Sequence, residues 1–200
     1  MLLKKWIKHG LLCAVVGLLL LNLAAAADEK GTAEDLLKSN LEAVFAVLQK
    51  EDLSPQDKNS EIVAIVTPMF DFQIMAKLSL GKQYWPGLSK ENRERFTELF
   101  VKRLRQSYLN KLTAYTDETV VYEQPLKVDQ KVHIPTSLVS KGKKISMLYK
   151  FYQSSGQWKI YDIEIQGVSI IRTYQSQFHE ILRNGTIEDL LSKMEKSTAD

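Results

Sequence analysis

The stretch Trp158-Lys159-Ile160-Tyr161-Asp162-Ile163-Glu164-Ile165-Gln166-Gly167-Val168-Ser169-Ile170-Ile171-Arg172-Thr173-Tyr174-Gln175-Ser176-Gln177-Phe178 decides how the chain is read. It opens as a β-branched, aromatic-rich strand with Tyr161, Ile163 and Ile165 in alternation. It then passes Gly167 and continues with Ile171, Tyr174 and Phe178 at helical spacing. A strand is thus tied directly to a helix, with Gly167 allowing the reversal and Ser169 placed to cap the helix.

Upstream of this block the period is two. Val120 and Tyr122, then Val128, Val132, Ile134 and Leu138, then Ile145, Met147, Tyr149 and Phe151 predict three further strands, four in all. Pro125, Lys141-Gly142-Lys143 and Ser154-Ser155-Gly156 separate them and suit hairpin connections. Before the strands the period is helical. Thr32 to Gln49 carries Leu36, Leu37, Leu41, Val44, Phe45, Val47 and Leu48, Asp52 to Asn59 with Pro55 reads as a turn, and a second helix through Ile62, Ile65 and Val66 stops at Pro68.

A short helix closed by Gly81 spans Met69 to Gly81 and is apolar nearly all round, which predicts burial on most sides. The longest helix starts at Ser89 as N-cap and runs to about Tyr115. Phe96, Leu99, Phe100, Leu104, Tyr108, Leu112 and Tyr115 form one stripe, with Lys102, Arg103 and Arg105 on the wet face. After the strands, Asn184-Gly185 predicts a C-cap, and Thr186 with Asp189 a capping box for a last helix. Helices, a strand meander and helices again predict an α+β fold: a curved antiparallel sheet of about four strands against a helical layer.

The first residues read as a processing signal: Lys4, Lys5 and Lys8, an apolar run from Leu11 to Leu21, then the alanines Ala24 to Ala27. The run is short for a membrane span, so residues 1–27 are expected to be a cleaved signal peptide and 28–200 the working domain, in the periplasm or outside. Cys13 lies inside the discarded run, leaving no cysteine and no disulfide in the remainder. The whole chain holds 27 Lys and Arg against 24 Asp and Glu, and the leader takes three lysines with it. A near-neutral domain lacks the basic surface that nucleic acid requires.

Little suggests catalysis. The domain keeps His133 and His179; His179-Glu180 begins a zincin pattern, but Arg183 stands where the second ligand belongs, so no metal is expected. Gly167-Val168-Ser169 lacks the second glycine of a nucleophile elbow. Asp71 and Asp162 are the acids that burial could activate as a base in a cone-shaped, ketosteroid-isomerase-like fold, and such acids more commonly cap helices or bind amides. A secreted enzyme of that class and a chaperone-like module binding apolar peptide stand as alternatives.

The Trp158–Phe178 block resembles the signature of the MlaC, or toluene-tolerance, family of periplasmic phospholipid-binding proteins, roughly W-x-V-Y-D-V-x-I-E-G-V-S-L-V-x-N-Y-R-x-Q-F. Trp158, Tyr161, Asp162, Gly167, Val168, Ser169, Tyr174, Gln177 and Phe178 match; Gln166 departs, and Gln175 stands where the family usually has arginine. Upstream, Phe70-Asp71-Phe72, Met75-Ala76, Leu80-Gly81, Trp85, Phe96, Phe100, Leu104, Tyr108, Leu112 and Tyr115 resemble the family's F-D-F…M-A…L-G…W…F…F…L…Y…L…Y succession.

The resemblance implies no cofactor and no chemical step, but an apolar cavity of order 1,000 Å³ between sheet and helices, holding phospholipid as cargo. Pattern and likeness together place Phe70, Phe72, Met75, Phe96, Phe100, Leu104 and Tyr108 on its helical wall. Val132, Ile134, Met147, Tyr149, Phe151, Ile163 and Ile165 are placed on its sheet wall, and Val168, Ile171 and Tyr174 at its rim or floor. It also implies a monomer that shuttles lipid between an inner-membrane ABC transporter with an MCE-type binding subunit and an outer-membrane lipoprotein and porin complex, maintaining outer-membrane lipid asymmetry.

Overall fold

The structure is a computed structural model and describes residues 31–112, 119–140 and 142–197. The expected signal peptide and Tyr115 lie outside the described residues, as does the side chain of Leu112.

Each helix begins where a side chain can satisfy free amide groups. Helix α1 (Ala33–Leu48) starts at Thr32 with a capping box to Asp35. Helix α2 (Pro55–Val66) starts at Ser54, so the predicted turn around Pro55 is the first helical turn, where proline loses no hydrogen bond and its fixed φ suits the helix. A single 3-10 turn (Thr67–Met69) leads to α3 (Phe72–Leu80), capped by Asp71 and closed by Gly81 at φ 85°. Helix α4 (Lys90–Leu112) begins with the Asn92 amide donating to Ser89 Oγ at 3.1 Å.

The strands are β1 (Thr119–Tyr122), β2 (Leu126–Val128), β3 (Lys131–Ser140), β4 (Lys143–Ser154), β5 (Gln157–Ile165) and β6 (Val168–Ser169), in one antiparallel sheet ordered β1-β3-β4-β5-β6, with β2 also on β3. Six strands replace the expected four for two local reasons. Asp129, at φ 55°, turns the second predicted strand back on itself, pairing Val128 with Lys131. Gln166 and Gly167, at φ 53° and 77°, make a two-residue hairpin that pairs Ile165 with Val168 before the chain enters α5 (Ile170–Leu182). Ser155 and Gly156, also at positive φ, close the β4–β5 hairpin in the same way.

The last helix, α6 (Ile187–Lys196), has the Thr186–Asp189 capping box. The predicted Asn184-Gly185 C-cap is not used: Arg183 caps α5 in the right-handed region, its amide donating to His179 O.

One buried cluster joins α3, α4, α5 and α6 to the sheet, with the first half of α1 against it. The second half of α1 packs instead on α2 through Val44, Val47, Leu48 and Ile62. Arg95 binds Glu188 and Glu195 and so ties α4 to α6, while Lys102 and Arg105 face water as predicted. No helix of the described residues is long and apolar enough to cross a membrane.

Candidate functional site

Register defines the inner face of the sheet, because residues directly opposite one another share a face. Val132, Phe151 and Ile160 form one row; Ile134, Tyr149 and Ile163 the next; Thr136, Met147 and Ile165 the third; Leu138 and Ile145 the last. The sequence placed Tyr161 on this face and missed Ile160. Phe151 pairs with Ile160 and Lys150 with Asp162, so Tyr161 is an extra residue in a bulge, and a bulge reverses which alternate positions face inward. Tyr161 lies on the outer side, where its hydroxyl and His133 Nε2 are 2.9 Å apart.

Cover over these rows is graded. On β4 and β5, Phe151 and Ile160 are fully buried, Tyr149 and Ile163 nearly so, and Met147, Ile145 and Ile165 only half-buried, whereas on β3 Ile134 and Thr136 are buried between half-buried Val132 and Leu138. The expected rim residue Val168 pairs with Ile165 and is 61% exposed. Along β4 and β5 the face therefore has a sealed end and an open end. Burial pushes the Tyr149 hydroxyl far above its ordinary pKa and keeps it neutral; it donates to Met147 Sδ at 3.6 Å.

The helical layer supplies the facing wall. Phe96, Phe100 and Leu104 on α4 are buried, with Tyr108 half-buried one turn on. Met75 comes from α3, and Phe70 and Phe72, stacked at 5.3 Å, flank the start of that helix. Ile171, Tyr174 and Phe178 come from α5, with the Tyr174 ring edge-on to Phe100 at 5.3 Å. All the predicted wall residues except Val168 belong to this one cluster. Leu36, Leu37, Leu41 and Tyr122 also join it; their helical and alternating spacing was visible, but nothing in it showed which neighbour they meet.

A cavity of order 1,000 Å³ was expected between the layers; ring contacts lie within the helical layer, where Phe96 and Phe100 of α4 meet Phe178 of α5 at 5.3 and 6.4 Å. Two clefts lined by described residues lie elsewhere: about 280 Å³ between the Leu80–Tyr84 segment and α5, and about 430 Å³ along Thr97–Arg105 of α4. Neither is lined by sheet residues. Gln175, at the position of the family arginine, lines the first, its Nε2 3.4 Å from Leu78 O.

Both candidate acids are occupied. Asp71 accepts from the Ile74 amide at 2.9 Å and from the Tyr152 hydroxyl, which fastens α3 to β4. Asp162 is buried and accepts from Lys150 Nζ at 3.0 Å, Ser169 Oγ at 2.8 Å and the Ile171 amide at 3.2 Å. Lys150 also binds Glu164. Burial pulls the ammonium toward neutrality, but the bonds to Glu164 and Asp162 outweigh it and hold its pKa above the ordinary lysine value. Such bonds anchor helices: Asp71 caps α3, and Asp162 holds the start of α5. Among the described residues no cluster of His, Cys, Asp and Glu could hold a metal.

A profile of the MlaC protein family matches residues 38–196. The chain is 24% identical over 173 residues to the intermembrane phospholipid transport system binding protein MlaC of Haemophilus influenzae, covering 84% of this chain and 79% of that one. It is 24% identical over 189 residues to the toluene tolerance protein Ttg2D of Pseudomonas putida, covering 90% of this chain and 84% of that one. The fold matches a phospholipid-binding protein from Ralstonia solanacearum, solved in complex with a phospholipid, with a TM-score of 0.77 at 23% identity over 84% of this chain and 98% of that one.

Proposed function

The chain belongs to the MlaC family, and from that premise we propose that it is a phospholipid carrier which holds acyl chains against the inner face of the sheet and performs no chemical step. The observation that carries the proposal is the graded cover of that face, from sealed Phe151 and Ile134 to half-buried Met147, Ile165 and Ile145. An apolar wall that runs out into partial exposure offers greasy chains a place to continue the core.

The physical need is large. A diacyl lipid with about 30 methylenes, at about 0.8 kcal/mol each, loses more than about 20 kcal/mol on entering water unaided. A carrier must replace that dry environment and then surrender it. With Phe96 and Phe100 of α4 packed on Tyr174 and Phe178 of α5, the protein makes room by moving α4 and α5 together away from the sheet, starting from the open end. Phe96, Phe100, Tyr149 and Met147 then touch the tails, and the half-buried Phe70, Phe72, Val132 and Tyr108 adjust around them. Methionine and aromatic side chains suit that repacking.

In this reading the protein works in the periplasm after losing residues 1–27. It passes lipid between an outer-membrane lipoprotein and porin complex and an inner-membrane ABC transporter through the latter's MCE-type subunit, and so maintains outer-membrane lipid asymmetry. The phospholipid transport named for the Haemophilus relative supports this assignment. Native mass spectrometry of protein purified from its own periplasm tests it: glycerophospholipid adducts are expected. Protein that arrives empty, and after delipidation takes up no labelled glycerophospholipid, refutes it.

A further inference from the structure

The inner-face column of β4 reads, from sealed end to tip, Phe151, Tyr149, Met147, Ile145 and Lys143: the first two buried, the next two half-buried and the last exposed. We propose that Lys143 binds the phosphodiester of the cargo and makes the carrier prefer phosphate-bearing lipids to neutral diacylglycerols; this rests on the carrier reading above.

Lys143 pairs with Ser140 across the β3–β4 hairpin and therefore shares the face of Ile145 and Met147, two residues and roughly 7 Å beyond Ile145. Its four-carbon stem prolongs the apolar column, and its ammonium reaches water at the end of it. A lipid with tails along that column brings its phosphate to this point, because the headgroup is the first part to need water. Lys143 has no ion-pair partner among the described residues, so no carboxylate competes for it. The neighbouring β5–β6 turn is fixed beside it by Gln166, whose amide donates to Lys144 O at 3.1 Å and whose backbone amide donates to Ser146 O at 2.8 Å. The rim around the phosphate is thus built from two tied hairpins, with exposed Val168 on the lipid side.

Lys144 is a control supplied by the fold. It sits on the same hairpin tip with the same charge but pairs with Val139, so it lies on the outer face, 3.8 Å from Glu123. Any effect of net charge alone appears equally in both lysines. A phosphate site appears only in Lys143.

Delipidated protein is loaded with a tail-labelled phosphatidylcholine, and the label is displaced by dioleoyl phosphatidylglycerol or by dioleoylglycerol, which has the same tails and no phosphate. Wild-type protein is expected to release the label at about threefold lower phosphatidylglycerol than diacylglycerol, the scale of one exposed charge-assisted contact. K143Q brings the ratio to about one, and K143R and K144Q keep it. Both positions are exposed, so the variants fold. A ratio near one in the wild type, an unchanged ratio in K143Q, or an equal loss in K144Q overturns the proposal while leaving the carrier reading intact. Failure of the wild type to load the label at all overturns both.

Discussion

The Ser169 hydroxyl donates a 2.8 Å hydrogen bond to Asp162 Oδ2 while its own oxygen accepts the Arg172 amide at 3.1 Å, so one side chain both caps α5 and ties that cap to β5. Asp162 completes the joint by accepting the Ile171 amide and Lys150. The acid therefore positions the helix that carries Ile171, Tyr174 and Phe178.

Removing its charge leaves a single amide oxygen for three donors, with Lys150 keeping only Glu164. Asp162→Asn is expected to lower stability by about 3 kcal/mol, the cost of breaking a largely buried pair from one side. Urea unfolding measures it. A loss no larger than that of an exposed acid such as Asp52→Asn is inconsistent with the anchoring role.

The sealed and open ends of the inner face should respond differently to truncation. Phe151→Ala, at a fully buried position, is expected to cost about 3–5 kcal/mol. Ile165→Ala costs roughly 1 kcal/mol, because a half-buried side chain forfeits only part of its transfer energy, but it weakens retention of labelled phospholipid. Thermal melts and lipid release, measured on the same samples, separate the two. Ile165→Ala that keeps its lipid as well as the wild type contradicts the placement of the tails.

Acidification probes the outer face. Burial depresses the His133 pKa, and the charges of Lys150 and Lys131 depress it further, so the folded protein resists protonation that the unfolded chain accepts near pH 6.5. The unfolded state then binds more protons, and stability falls as pH drops from 6.5 toward the folded pKa. His133→Gln is expected to flatten the change in urea midpoint between pH 7 and pH 5. Parallel curves for the two proteins would remove the imidazole as a cause.

Gly81, at φ 85° and ψ 166°, occupies backbone that side chains rarely enter, and an added Cβ would sit 3.0 Å from Gln175 Nε2. Gly81→Ala is expected to cost about 2 kcal/mol from the backbone alone. Adding Gln175→Ala relieves the contact but not the φ, so the double variant recovers only part of the loss. Full recovery in denaturant unfolding would mean that the contact was the whole of it.

Much of this was legible in the sequence. Helices start at Thr32, Ser89, Ser169 and Thr186 because short polar side chains reach amides three residues away, a wholly local rule. Alternation in 145–151 and the 96-100-104 stripe marked their buried faces for the same reason: a period is a property of one element. Errors arose where a neighbour decides. Tyr161 and Ile160 exchanged faces because a bulge exists only relative to a partner strand, and Asp129 made two strands of one through a left-handed turn that aspartate tolerates but does not advertise.

What the chain determined by itself, then, was the list of elements and the side of each that shuns water. Which apolar positions of β4 and β5 are sealed and which are left half-covered, that Lys143 and Lys144 face opposite ways from one hairpin, and that Asp162 accepts from three donors were settled by assembly. Burial and hydrogen bonding between elements distant in sequence depend on register and packing, and these take definite values only once the layers meet.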